Sequence, residues 1–284
     1  MKQKYYSPLR YPGGKAKVLG FMKELIKNNT FPSKPVYVEP YAGGAAVALG
    51  LLIEGDVSEI YINDFDVAIY SFWNAIKNNH KKFIAKIRQT PINVKEWHKQ
   101  SEIYKEGKKG FDLGFAAFYL NRCNHSGIMK GGVIGGFAQN GTYKINCRFN
   151  KEALIERIET IAKFKKNIHL YQEDTLSFLK KEDMQPILNN CLLYLDPPYY
   201  VKGHQLYKNH YKAKDHQAIA ELVRSLNGFW VVSYDNVAEI QNLYEEFEKQ
   251  EFNLNYCAGS VRQGKEVMFF SKQIQNIPNL TTMI

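Results

Sequence analysis

The stretch Leu193-Tyr194-Leu195-Asp196-Pro197-Pro198-Tyr199-Tyr200 holds residue types that together could do chemistry. An apolar run delivers a carboxylate. Two prolines follow, which fix the backbone and remove two N–H donors. Asp196 and the Pro197 carbonyl then form an acceptor-only pair, suited to a ligand NH₂ group. Tyr199 adds a flat face for a planar ring. Acceptor, acceptor and stacking surface describe a pocket for an exocyclic amine on an aromatic base. A Pro-Pro pair alone is commonly a rigid turn; the apolar run before it and the Tyr after it set this one apart.

Three shorter patterns could hold a second ligand. Glu39-Pro40-Tyr41-Ala42-Gly43-Gly44 leads from a β-prone run into a turn before a helix. Glycines there let a ligand approach the backbone at a helix N-terminus, and a plain tight turn is the competing reading. The pattern is not GxGxxG, so a nicotinamide dehydrogenase is not indicated. Asp64 ends the next apolar run, where a carboxylate can accept hydrogen bonds from both hydroxyls of a ribose. It could instead cap a helix starting at Asp66. Tyr11-Pro-Gly-Gly-Lys15 lacks the phosphate-loop spacing. Lys15 beside a helix N-terminus suits a carboxylate-bearing ligand, or it is a loop with a surface lysine.

These residues need a scaffold that brings strand ends together. Short β-prone runs lie at Val36–Glu39, Glu59–Ile62, Ile168–Tyr171, Leu192–Leu195, Trp230–Ser233 and Val267–Phe270. Helical periodicity fills Lys15–Asn29, Ala45–Ile53, Asp174–Lys181 and Ala213–Leu226 between them. Alternation of this kind predicts an α/β domain with a parallel or mixed sheet covered on both faces.

The segment 71–150 interrupts that rhythm. It reads as Lys- and Asn-rich helices, then an apolar helix over Phe111–Asn121, then six glycines within Gly127–Gly141, predicting a long hairpin or loop. The expected organisation is a discontinuous domain, 1–70 with 151–284, carrying an insertion at 71–150. The insertion has 14 Lys and Arg against 4 Asp and Glu, and so accounts for the whole net charge of +10. A basic surface concentrated in one segment is the footprint of a polyanion; a solvated lysine-rich face is the bland alternative. No apolar run approaches the roughly 20 residues of a membrane span, and no secretory h-region opens the chain. The four cysteines form no CxxC pair, so neither a zinc ribbon nor a disulfide framework is expected. The expected compartment is the cytoplasm.

Taken in order, the motifs resemble those of a Dam-like DNA adenine-N6 methyltransferase, of the D12 class with motif order alpha. YPGGK at 11–15 is similar to the family's N-terminal cofactor motif. EPYAGG at 39–44 is similar to its second motif, with Ala45 where a further glycine is usual. Asp64 resembles the ribose-binding acid, and DPPYY at 196–200 the catalytic motif. FYLNRCNHSGIMKGG at 118–132 resembles the start of the DNA-reading hairpin.

The resemblance implies a Rossmann-like S-adenosylmethionine-dependent methyltransferase sheet with an inserted DNA-recognition domain. It implies S-adenosylmethionine as methyl donor and no metal. Tyr11, Lys15, Glu39, Pro40, Tyr41, Gly43, Asp64 and Asp196 would contact the donor, with Asp174 near its adenine. Asp196, Pro197, Pro198 and Tyr199 would carry catalysis on a base flipped out of double-stranded DNA. Arg122 would meet a phosphate; His125, Ser126 and Ile128 would wedge and read; Lys130 stands where an arginine often reads guanine. The resemblance breaks at His125, at Lys130 and at the extra GGVIGG run, so it does not extend to a reading of GATC. A monomer is expected, acting alone or beside a restriction endonuclease that shares its site. Cytosine-N4 enzymes more often have Ser, and protein-glutamine enzymes Asn, at the position of Asp196. A catalytically silent DNA-binding module would have no reason to keep Asp196, Tyr199 and Lys15.

Overall fold

A computed structural model describes residues 6–10, 18–200, 211–258 and 260–282. Its sheet is built from β1 (Val36–Glu39), β2 (Ile60–Asn63), β3 (Ile168–Tyr171), β4 (Cys191–Leu195), β5 (Phe229–Asp235), β6 (Glu248–Ala258) and β7 (Ser260–Phe270). The spatial order is β3-β2-β1-β4-β5-β7-β6. The first five are parallel, and β7 runs antiparallel between β5 and β6. β4 reads Cys-Leu-Leu-Tyr-Leu and is buried throughout, as a central parallel strand covered on both faces must be.

Side chains alternate between two apolar clusters. Tyr37, Leu192, Tyr194, Val231 and Met268 face one; Val38, Leu193, Leu195, Val232 and Val267 face the other. Helices α1 (Val18–Asn28), α2 (Ala46–Glu54), α3 (Val67–Gln89) and α6 (Lys151–Lys163) cover the first face. Helices α7 (Thr175–Leu179), α8 (Gln185–Leu188), α9 (Ala213–Ser225) and α10 (Ala238–Leu243) cover the second. Strand order reverses between β1 and β4. Such a switch point opens a crevice at the carboxyl ends of the strands, where α/β sheets bind ligands.

Between β2 and β3 lie α3, α4 (Val94–Glu106) and α5 (Phe111–Cys123). α3 is capped by Asp66, whose carboxylate accepts from Ala68 N, and it kinks at Asn79. The expected division at 70/71 therefore falls inside α3, which passes from the sheet into the insertion without a break in the core. Phe72 and Phe83 of α3 pack on Phe115 and Phe118 of α5. Gly114 allows this approach, since a Cβ there would come within 2.5 Å of the Ser71 carbonyl.

Of the long hairpin or loop expected after α5, the structure shows the loop: a 3-10 turn at His125–Gly127, one antiparallel bridge between Asn124 and Val133, and successive turns. Left-handed backbone at Ser126, Gly127, Gly132, Gly135, Gly136 and Gln139 breaks any extended pairing. The sheet also gains β6, a strand with polar composition at its start, and β7 begins at Ser260 rather than Val267. Among the described residues no helix is long and apolar enough to cross a membrane.

Candidate functional site

Asp196 follows the last residue of β4, at the carboxyl edge of the sheet. β5 lies beside it with Leu195 opposite Val232, and this places Ser233 next to Asp196. The Ser233 hydroxyl donates to Asp196 Oδ1 at 2.7 Å and lies 2.9 Å from the buried Tyr194 hydroxyl. One carboxylate oxygen is thereby held by the neighbouring strand.

The prolines are buried, and the chain beyond them is stapled to β5 and β7. The Tyr199 hydroxyl donates to Glu266 Oε1 at 2.6 Å, and both residues are buried. The Tyr200 N–H donates to Asp235 Oδ1 at 2.9 Å. The Tyr199 ring is therefore fixed in orientation through its hydroxyl.

The ends of β1 and β2 form the second part of the site. The Gly43 N–H donates to Asp64 Oδ2 at 2.8 Å and the Asp66 N–H to Asp64 Oδ1 at 2.9 Å. Helix capping is the work of Asp66, and Asp64 instead spans the β1–α2 and β2–α3 turns. Desolvation pushes the Asp64 carboxyl up to about 7. The two N–H donors oppose that rise and the neighbouring charge of Asp66 adds to it. Phe65, between the two acids, is 57% exposed. Glu39 is buried at the end of β1. The Tyr41 hydroxyl lies 2.9 Å from that of Tyr211, and burial raises its pKa well above the usual tyrosine value.

Two residues that the sequence reading did not single out hold this edge together. Asn63 is fully buried. Its amide donates to the carbonyls of Pro40 and Glu173 at 3.1 and 3.0 Å, and its oxygen accepts from Glu173 N at 2.9 Å. One side chain thus joins the turns after β1, β2 and β3. Trp73 of α3 donates its indole N–H to the Gly43 carbonyl at 2.9 Å. Ala45 takes φ 45°, ψ 34° at the N-cap of α2, a left-handed conformation that a glycine adopts without strain.

Asp174 lies in the same row of turns, after β3. It is exposed and caps α7, its carboxylate accepting from Leu176 N and Ser177 N at 3.0 and 3.3 Å. Tyr11 and Lys15 lie outside the described residues.

The insertion brings a different set together. Arg122 turns inward: its Nε donates to the Arg148 carbonyl at 2.7 Å, and Nη2 donates to the same oxygen. Desolvation, with repulsion from Arg10, Arg157 and Arg148, lowers its guanidinium to about 9. At least two of its five donors are thus spent inside the protein. His125 and Ser126 line a cleft of about 520 Å³ with Arg10, Tyr143, Cys147 and Arg148. Ile128 is half-buried, and Lys130 is exposed; neither lines that cleft.

Buried amides, missed in the sequence, shape this loop. Asn121 accepts from Arg10 N and donates to Arg10 O, both at 2.7 Å, and donates to Gly127 O at 2.9 Å. Asn124 donates to the carbonyls of Ile128 and Met129 at 3.1 and 2.9 Å. A polar amide in the apolar run FAAFYLN was the available signal for Asn121; nothing local marked Asn124.

The chain is similar to proteins already known. Residues 11–256 match the family described as D12 class N6 adenine-specific DNA methyltransferase, and the chain belongs to that family. S-adenosylmethionine is its cofactor. The Type II methyltransferase M.MjaIII of Methanocaldococcus jannaschii is 24% identical over 206 residues, which cover 67% of this chain and 68% of that protein. Among solved structures, the rRNA methyltransferase aviRa from Streptomyces viridochromogenes aligns with a TM-score of 0.42 at 12% identity, over 94% of this chain and 89% of that one. A type I restriction-modification system methyltransferase subunit from Streptococcus thermophilus gives 0.40 at 11% identity, over 94% of this chain and 46% of that one.

The donor set suits the cofactor. Two carboxylates, Glu39 and Asp64, end adjacent parallel strands beside a turn that holds a left-handed glycine and a left-handed alanine. An acid held near 7 by desolvation gains most from ligand hydroxyls, which favour its charged form.

Proposed function

We propose that the chain methylates N6 of adenine at a specific site in double-stranded DNA, with the target base flipped out of the helix. The observation that carries this reading is the fixed acceptor at the sheet edge. Asp196 is held by Ser233, next to the carbonyl of a buried Pro197, with Tyr199 fixed alongside.

Adenine N6 is a poor nucleophile because its lone pair is delocalised into the ring. Hydrogen bonds from its NH₂ to Asp196 and the Pro197 carbonyl favour a more tetrahedral nitrogen, and free the lone pair to attack. Bound S-adenosylmethionine supplies an electrophilic methyl group on a sulfonium. Glu39, Asp64 and the Gly43 turn hold the donor, with Tyr11 and Lys15 as the family motif implies, and Phe65 offers its exposed ring to the adenine of the donor. Transfer is direct, and positioning is the larger catalytic contribution. The target atom lies inside a duplex, so the base must leave the stack, where Tyr199 receives it. Lys and Arg of the insertion meet phosphates, and His125, Ser126, Ile128 and Lys130 face base edges. The chain acts as a monomer, alone or beside an endonuclease sharing its site.

The test is incubation with labelled S-adenosylmethionine and unmethylated genomic DNA, then sequencing for modified bases. N6-methyladenine confined to one short motif is the expected result. N4-methylcytosine overturns the reading of the pocket, and DNA retention without label overturns catalysis.

A further inference from the structure

His216 stands near the start of α9 and is 1% exposed, yet the site described above makes no use of it. Its Nδ1 lies 3.0 Å from the Tyr234 hydroxyl on β5. Its Nε2 is buried and has no partner among the described residues. A buried polar atom left unpaired costs stability, and a leucine would fill the same space without that cost. Packing alone therefore gives no reason for a histidine here. An imidazolium would have to donate from both nitrogens, so the ring is held neutral. Burial pushes its pKa down, against the pull of Asp235 and Asp215.

The rings around the imidazole belong to different parts of the site. The Tyr200 ring lies 5.1 Å away, Tyr211 5.5 Å and Tyr234 5.4 Å, between centroids. Tyr200 closes the DPPYY stretch, and Asp235 holds its N–H at 2.9 Å. Tyr211 leads into α9, whose start is tied down where the Lys212 N–H donates to Asp215 Oδ2 at 2.8 Å. The Tyr211 hydroxyl lies 2.9 Å from that of Tyr41 in the EPYAGG turn. Tyr234 follows Ser233, which holds Asp196. The imidazole thus touches the DPPYY stretch and β5 directly, and reaches the EPYAGG turn through Tyr211.

We infer that His216 is a positioning residue for methyl transfer: moored to Tyr234, its ring props Tyr200 and keeps Asp196 to Tyr199 in register with the donor held at the Tyr41 turn. The inference rests on the DNA-methylation reading. His216 acts through Tyr200 and Tyr211 rather than on the reacting atoms. In-line transfer tolerates little displacement: a shift of about 1 Å caused away from the chemistry can cost on the order of 100-fold in rate. An aliphatic side chain in its place keeps the bulk but releases the Tyr234 hydroxyl, and with it the mooring of the prop.

The test compares His216→Leu, His216→Asn and Ile219→Ala, the last a buried apolar position on the same helix. His216→Leu lowers kcat at saturating donor and DNA by about 10- to 100-fold, while KM for DNA and the Kd for S-adenosylmethionine stay within about threefold of wild type. His216→Asn, whose amide stands near the place of Nδ1, recovers most of the loss. Ile219→Ala opens a cavity and destabilises at least as much, yet keeps kcat within about threefold. Hydrogen exchange followed by mass spectrometry over residues 196–200 gives a second readout. The Tyr200 amide exchanges faster in His216→Leu and stays protected in the other two variants. Equal kcat losses from His216→Leu and Ile219→Ala, no rescue by asparagine, or unchanged exchange at Tyr200 overturns the positioning role. Exchange needs no methyl transfer, so protection that depends on His216 in a protein that methylates nothing keeps the prop and sinks the adenine reading instead.

Discussion

The sheet edge and the loop after α5 hold their side chains in opposite ways. At the edge, other parts of the chain grip side-chain groups directly: Ser233 holds the Asp196 carboxylate, Glu266 the Tyr199 hydroxyl, and Gly43 N the Asp64 carboxylate. In the loop, Asn121, Asn124 and Gln139 grip main-chain atoms, and His125, Lys130 and Phe137 stand exposed. Chemistry at one nitrogen needs a single side-chain geometry. Contact with a long, ridged polymer needs a backbone of fixed shape with its side chains outward. The two kinds of bracing match the two roles proposed for these regions.

That contrast can be broken by experiment. Asp196→Ala should cut kcat about 100- to 1,000-fold while cofactor and DNA still bind, since the lost acceptor acts on the transition state. Steady-state methylation with separate binding titrations checks it; a parallel loss of binding would show that Asp196 is mainly a structural residue. Asn121→Ala should instead act on shape. It strands the Arg10 N–H and carbonyl and releases Gly127, so stability should fall by about 2 kcal/mol and the melting temperature by about 5 °C. The comparison predicts that it weakens DNA binding more than it slows transfer at saturating DNA.

Phe65→Ala sharpens the assignment of the edge. Loss of a stacking ring should raise the Kd for S-adenosylmethionine about tenfold, with DNA affinity unchanged, as calorimetry can show. The last test is a pH slope. Asp64 has its carboxyl raised to about 7 in the folded chain, against about 4 when unfolded. The folded state therefore holds more protons between those values, and its stability falls as pH rises from about 4 through 7. Ligand hydroxyls favour the charged carboxylate, so cofactor affinity should rise over the upper part of that window. Thermal melts of wild type and Asp64→Asn across pH 5–8 should differ in slope, the variant being flatter.

Legibility in the sequence followed the range of the contacts. Five parallel strands could be read because each is a short β-prone run; β1, β2, β4 and β5 are largely buried, and the edge strand β3 is half-buried. Asp64 and Asp196 could be read because they end such runs. Their partners could not: Ser233 lies 37 positions from Asp196, Glu266 lies 67 from Tyr199, and the Glu173 bonded by Asn63 lies 110 away. The segment after α5 is half legible: its six glycines suggest a hairpin or a loop, and left-handed backbone at Gly127, Gly132, Gly135 and Gly136 decides for the loop. Arg122 could be placed near the reading surface by motif, but nothing in its own neighbourhood showed that its fork closes on Arg148. β6 escaped because it opens Glu-Lys-Gln-Glu, which carries no apolar alternation.

That same opening has a use. β6 is the last strand of the sheet, and a long outer strand is a template on which a second chain can add itself and begin to aggregate. Glu248, Lys249 and Glu251 are exposed along it. Gln250 donates to the Pro278 carbonyl at 3.0 Å and accepts from Leu280 N at 2.8 Å, which draws the last turn of the chain over part of the rim. Charge and cover together discourage edge-to-edge growth of one sheet onto another.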